Sequence, residues 1–373
     1  MKIGFVLDDS LDKPDGVQQY VLTVSAWLQN RGHEIHYLVG ETHRRDLENL
    51  HSLSKNIKVR FNANRLSVPM PVPHKKLRDL LNEQQFDVLH IQMPHNPLLA
   101  GRIVSSSPKD TAIVGTFHVA PFSKFETAAT RLLGLWLKPN VRRFDDVVSV
   151  SKTAQEFAQK TFRIESKVVP NPVDLKQFPT KDTDHHGPIV FLGRLVPRKG
   201  CLELLKAYKL LTEELSEVPR LIICGDGPQR KMLEAFCTSN NLSTVEFVGF
   251  VSNEQKKDYL ASSSIAVFPS TGGESFGIVL LEAMAAGSGV VIAGNNSGYK
   301  NVMEPTPEVL VNPRDSKAFT KVFKKYIIDK DMAQLVHHKQ QTLVKQYDIG
   351  VVGRQLLGVY QEAIAKRSKN KHN

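Results

Sequence analysis

Cysteine is nearly missing from this chain: 373 residues contain three, Cys201, Cys224 and Cys237, all in one half. They lack the paired spacing of a metal-binding motif and are too few for a disulfide framework. A reducing cytoplasm is therefore the expected setting, and no metal site is expected. Long apolar runs are missing too. None approaches the roughly 20 residues needed to span a bilayer, so any membrane contact would be peripheral, on the inner face. Residues 1–7, MKIGFVL, read as a first strand rather than a leader.

Acidic residues are in deficit, 38 against 49 Lys and Arg, which gives a net charge of +11 and a pI near 9.4. Such a balance calls for anionic partners: nucleic acid, phosphorylated metabolites or an anionic membrane. The charge is uneven. Residues 44–78 carry nine Lys or Arg against only Asp46 and Glu48. Aromatic platforms interleaved with cations are absent, which counts against a nucleic-acid-binding protein.

With 41% hydrophobic residues, the chain exceeds the usual size of one core and implies two domains. Short apolar runs alternate with helical patterns throughout, as in α/β units whose parallel sheets are covered by helices. In the first half the strands fall at 3–7, 35–39, 88–91, 113–117 and 147–150. Helices fall at 17–30, 75–83, 125–143 and 152–162. The rhythm restarts with strands at 189–192, 221–224, 245–248, 265–268 and 290–292. Residues 169–174, VPNPVD, hold two prolines and suit a hinge. The expected organisation is two Rossmann-like domains, 1–169 and 170–349, facing a cleft. Residues 350–373 add a helix crossing back to the first domain and a frayed basic tail at 366–373.

The richest segment is 272–282, GGESFGIVLLE. A strand stops at Pro269, glycines turn the chain, and a helix starts near Gly277, so free first-turn amides face whatever lies beside Glu274. Glu282, one turn on, leans back toward the same mouth. Two carboxylates there could accept hydrogen bonds from sugar and ribose hydroxyls; the plainer alternative is a macrodipole charge and a solvated helix residue.

Other loops at strand ends carry complementary chemistry. Residues 193–200, GRLVPRKG, place Arg194, Arg198 and Lys199 between glycines, suited to a departing diphosphate or to simple solvation. Gly16 precedes a helix start and could admit a diphosphate to the backbone, and the turn at 225–228 could border the nucleotide, though both also read as ordinary turns. His118 ends a strand, a functional or a structural histidine. In 74–81, HKKLRDLL, three leucines share a helical face beside Lys75, Lys76 and Arg78. The leucines could meet lipid with the cations at head groups, or pack on the sheet with the cations in water.

These residues resemble the retaining family-4 glycosyltransferases of the GT-B fold, and within them the bacterial phosphatidylinositol alpha-mannosyltransferases. The likeness runs nearly end to end, through 16–18 (GVQ), 31–34 (RGHE), 86–91 (FDVLHI), 116–118 (TFH), 170–174 (PNPVD), 193–200 and 272–287. It departs from the family pattern at Asp15-Gly16, where two glycines are usual, at 61–65 and at 92–95.

The resemblance implies a sugar nucleotide on the C-terminal domain and a lipid acceptor on the N-terminal one. Glu274 would bind the hexose, with the amides of Phe276, Gly277 and Ile278 nearby, and Glu282 the ribose. Arg194 and Lys199, joined by the Gly16 amide, would hold the diphosphate; Val251 and Lys256 would border the base; His118 would sit at the reacting centre. Gln18, Asn62, Arg65 and Lys124 would hold an inositol-phosphate head group, and Lys75, Lys76 and Arg78 would dock on an anionic membrane. No cofactor or metal is implied. The donor would be GDP-mannose and the acceptor phosphatidylinositol. A UDP-sugar enzyme acting on diacylglycerol or an envelope polysaccharide is the alternative.

Overall fold

A computed structural model describes residues 1–12, 15–61, 64–94, 96–119, 138–178 and 187–369. Its contacts divide the chain into two units, Met1–Pro172 with Ile349–Asn373, and Val173–Asp348.

The first unit is built on seven strands: β1 (Lys2–Leu7), β2 (Glu34–Val39), β3 (Leu50–Ser52), β6 (Val88–Gln92), β7 (Ala112–Phe117), β8 (Asp146–Ser149) and β9 (Lys167–Val168). They run parallel in the order β3-β2-β1-β6-β7-β8-β9. Two further strands, β4 (Asn56–Phe61) and β5 (Asn64–Pro69), form a separate antiparallel hairpin. Period-two alternation in β1 serves two cores. Ile3, Phe5 and Leu7 pack with Val24, Leu28 and Leu356, while Val6 packs on the other face with Leu77, Leu81 and Leu89. The helix Ile349–Lys369 belongs to this unit, burying Val352, Leu356, Val359 and Tyr360 against the helix Gly16–Gln29 and the sheet.

Of three expectations, one is decided between its alternatives, one changes, and one falls mostly outside the described residues. Leu77 and Leu81 of the helix His74–Gln84 are fully buried, so they pack on the protein, while Lys75, Lys76 and Arg78 stand in solvent. Each such leucine contributes about 1.5–3 kcal/mol by staying there. The start of the basic tail is not frayed: Lys366 reaches Asp146 at 3.1 Å and Arg367 reaches Asp145 at 2.7 Å. The helix expected at 125–143 lies mostly outside the described residues; Lys138–Val141 is helical.

In the second unit, β10 (Ile189–Leu192), β11 (Leu221–Cys224), β12 (Val245–Gly249), β13 (Ile265–Phe268), β14 (Val290–Gly294) and β15 (Leu310–Val311) form a parallel sheet in the order β12-β11-β10-β13-β14-β15. Successive connections from β10 travel one way and from β13 the other. That reversal opens a crevice at the carboxyl ends of β10 and β13, where open α/β sheets bind ligands. The first sheet reverses in the same way between β1 and β6.

Candidate active site

The loops that leave β10 and β13 are pressed together by their glycines. Gly200 has φ +74°, and a Cβ there would lie 2.0 Å from the Pro269 carbonyl oxygen. Gly277, at φ +110°, caps the helix Ile278–Ala285, and a Cβ would meet the Tyr299 ring at 2.6 Å. Only glycine fits both constraints. Thr271 N donates to the Arg198 carbonyl at 2.8 Å, tying the loops directly.

Glu274 lies at this junction with its side chain 13% exposed. Arg198 Nη1 and Lys199 Nζ each donate to Glu274 Oε1 at 2.8 Å, and Ser270 Oγ donates to the same atom at 2.9 Å. Oε2 is the oxygen these contacts do not use. Burial alone would raise this carboxyl, but the charges of Lys199 and Arg198, with the bonds from Lys199 and Ser270, hold it below the usual carboxylate range. The trio keeps one net positive charge. The sequence reading named Arg198 among the three loop cations suited to a diphosphate, but not its contact with Glu274, which no local spacing signals.

A second ion pair lies on the neighbouring helices. Lys256, on Asn253–Ala261, donates to Glu282 Oε1 at 2.6 Å, with the side chains 11% and 8% exposed. Glu282 is therefore not a solvated helix residue. Phe276 is buried with its ring edge-on to Tyr347, and Ile278 begins the helix. Val251 is half-buried beside the exposed Phe250. Arg194 stands at the surface of the same loop as Lys199. Thus the structure joins Lys199 and Arg198 to Glu274 and pairs Lys256 with Glu282.

In the first unit, the side chains that meet at the carboxyl ends of β6 and β7 are uncharged. His118 follows β7 and is buried; its Nε2–H donates to Gln92 Oε1 at 2.7 Å, because an amide oxygen only accepts. Burial pushes the imidazole down to about 3, so the ring is neutral at physiological pH with Nδ1 as its acceptor. Below it, His90 is also driven down to about 3 by burial and by His118. Its two nitrogens bond Tyr360 Oη at 2.7 Å and Thr116 Oγ1 at 2.5 Å. Asp8, at the end of β1, accepts from Ala100 N at 2.7 Å, and burial raises its carboxyl to about 7.

Gly16 starts the helix Gly16–Gln29, and Gln18 is buried with Nε2 donating to the Ser10 carbonyl at 3.0 Å. Arg65 falls on β5, whereas Asn62 and Lys124 lie outside the described residues. Among the described residues, no group of three His, Cys, Asp or Glu could hold a metal ion, and no helix is long and apolar enough to cross a membrane.

Residues 14–177 match the model of Glycosyltransferase Family 4, and residues 176–342 that of Glycosyl transferases group 1. The phosphatidyl-myo-inositol mannosyltransferase of Mycolicibacterium smegmatis is 28% identical over 369 residues, covering 97% of this chain and 94% of that one. Its Mycobacterium tuberculosis counterpart is 28% identical over 383 residues, 99% of each chain. Among solved structures, sucrose-phosphate synthase from Thermosynechococcus elongatus superposes with a TM-score of 0.71 at 20% identity, covering 98% of this chain and 100% of that one. Anabaena HepE in complex with UDP gives 0.74 at 18% identity, covering 97% and 100%. The two family matches meet in the segment that joins the two sheets and span most of the chain between them, which therefore belongs to the family-4 glycosyltransferases of the GT-B fold.

Proposed function

We propose that the chain moves mannose from GDP-mannose to phosphatidylinositol at an anionic membrane surface, with retention at the anomeric carbon. The observation that carries this is the junction of the β10 and β13 loops, where Glu274 is held by Arg198 and Lys199 beside a helix N-terminus. Similarity along the whole chain to phosphatidyl-myo-inositol mannosyltransferases supports the choice of donor and acceptor.

Breaking the anomeric bond leaves an oxocarbenium-like sugar and a diphosphate with added negative charge. Arg194 and Lys199, aided by Arg198 and the amides at 276–278, stabilise that charge. No metal enters the reaction. Glu274 Oε2 accepts from the hexose hydroxyls while Oε1 accepts from Arg198 and Lys199. His118 is neutral and so has no charge to offer the leaving phosphate; it acts as a hydrogen-bonding partner of the sugar. The acceptor hydroxyl attacks from the face the diphosphate leaves, and the diphosphate takes its proton. Gly16, Gln18, Asn62, Arg65 and Lys124 serve the diphosphate and the lipid head group. Glu282 and Lys256 border the nucleoside with Val251.

A panel of sugar nucleotides incubated with vesicles of phosphatidylinositol or diacylglycerol tests this reading. It expects GDP release from GDP-mannose that depends on phosphatidylinositol, with an alpha-linked product. UDP release with diacylglycerol would replace it with the UDP-sugar alternative.

A further inference from the structure

Gln92 closes β6, paired in register with Thr116 of β7, and His118 lies two residues beyond Thr116. The period of two therefore puts His90, Gln92, Thr116 and His118 on one face of the sheet, the face packed with residues of the helices Gly16–Gln29 and Ile349–Lys369. All four side chains are buried, Gln92 at 1% exposure. Polar groups placed in this way must satisfy one another, and the partners in reach fix which atoms donate.

The constraint starts at a backbone carbonyl. Gln92 Nε2 donates to the His90 carbonyl at 3.4 Å, and a carbonyl can only accept. The amide nitrogen therefore lies on the His90 side; flipped, the amide would set two oxygens against each other in a buried site. Its oxygen is left facing His118, whose Nε2 is 2.7 Å away. One tautomer satisfies that contact, with the proton on Nε2 and the lone pair on Nδ1. A backbone group sets the amide, and the amide sets the imidazole.

The neighbouring polar groups do not compete for Gln92. His90 is engaged at both nitrogens, by Tyr360 Oη and Thr116 Oγ1, and Thr116 also shares a hydrogen bond with Tyr20. Directly after Gln92 the chain turns. Met93 has φ +60°, a left-handed backbone that methionine rarely adopts; its N–H stays on the Thr116 carbonyl at 3.0 Å, and its own carbonyl accepts from Asn96 N at 2.9 Å. Such a conformation persists where the surroundings over-determine it, as at functional sites. It ends the strand with the Gln92 side chain still in the buried layer.

The residue type at position 92 decides what His118 can do. A carboxylate there would draw a second proton onto the ring and remove its acceptor. A glutamine keeps the ring neutral. An acceptor Nδ1 takes a hydroxyl proton but repels the oxygens of a diphosphate, which at neutral pH only accept. We propose that Gln92 is a positioning residue for glycosyl transfer: its amide oxygen locks His118 in the Nε2–H tautomer, so that His118 serves a sugar hydroxyl rather than the diphosphate. The inference rests on the placement of His118 beside the sugar in the proposed function and names the residue that sets its role.

Nitrogen NMR of enzyme labelled with 15N-histidine reads the tautomer directly, with the His118 signals identified by their absence from His118→Asn. Wild type should show His118 with a protonated Nε2 and a bare Nδ1 at neutral pH. Gln92→Met keeps the length of the side chain and removes the amide. The form protonated on Nδ1 should then appear and turnover should fall about tenfold or more, while GDP binding by calorimetry stays at the wild-type level. Gln92→Leu, which also lacks the amide, serves as the second variant. A wild-type His118 with its proton on Nδ1 would overturn the inference whatever the substrate proves to be. So would a variant in which the tautomer and the turnover do not change together. If wild type uses a sugar nucleotide other than GDP-mannose, the donor reading fails, and the same comparison with that donor still decides the role of Gln92.

Discussion

After β10 and β13, the second unit holds Arg198, Lys199 and Glu274 as ions joined at 2.8 Å. At the carboxyl ends of β6 and β7, the first unit instead joins Gln92 and His118 as neutral groups at 2.7 Å, over a His90 that burial also keeps uncharged. Both sheets are parallel and reverse direction once, so topology does not explain the difference. The loops do. A loop bounded by glycines brings cations against a carboxylate and fixes charge before any ligand arrives, which suits a diphosphate. A strand end buried among Tyr20, Phe5 and Tyr360 cannot support charge and offers directional hydrogen bonds instead, which suits hydroxyl groups.

The largest effect that would test this contrast is on stability. Lys256→Met leaves the buried Glu282 carboxylate without its cation and should destabilise the second unit by about 3–5 kcal/mol in urea. Lys256→Met/Glu282→Leu should recover most of the loss. A single variant that melts like the wild type would mean that the pair is effectively solvated. Next comes catalysis. Arg194→Ala should lower turnover about 100-fold or more by removing a donor from the developing charge; full turnover by the folded variant would remove Arg194 from the mechanism.

On the neutral side, Tyr360→Phe strips the partner from the buried His90 Nδ1 and should cost about 1–3 kcal/mol. An unchanged melting curve would show that the hydroxyl does not support the network. The remaining effect is graded and concerns acid. His90 and His118 are held near 3 when folded and titrate near their ordinary value when unfolded. The unfolded chain therefore binds protons first, and stability is lost as pH falls from about 6.5, at up to about 1.4 kcal/mol per pH unit for each ring. Asp8, raised to about 7, has the opposite sign: its folded form binds the proton more tightly, so it loses stability as pH rises toward 7. Asp8→Asn should accordingly steepen the acid loss in denaturant titrations between pH 7 and 5. An identical slope would contradict that assignment.

Much of the scaffold was readable because strands and helices carry their own periods: β10, β11 and β13 fall where the apolar runs place them, and the helix after Gly277 begins as its glycine and apolar pattern require. What escaped depends on long-range contact. Lys256 and Glu282 are 26 residues apart, and Tyr360 meets His90 across 270, distances at which periodicity says nothing. The leucine stripe at 77–81 fits either lipid or core, and burial decided for core.

The claim that Glu274 serves the sugar while the cations serve the diphosphate is tested most directly by calorimetry of GDP binding to Glu274→Ala, alongside its turnover with GDP-mannose. The account expects GDP affinity close to wild type, since Arg194, Arg198 and Lys199 remain, with turnover down about 100-fold or more. Loss of GDP binding by a folded variant would contradict it.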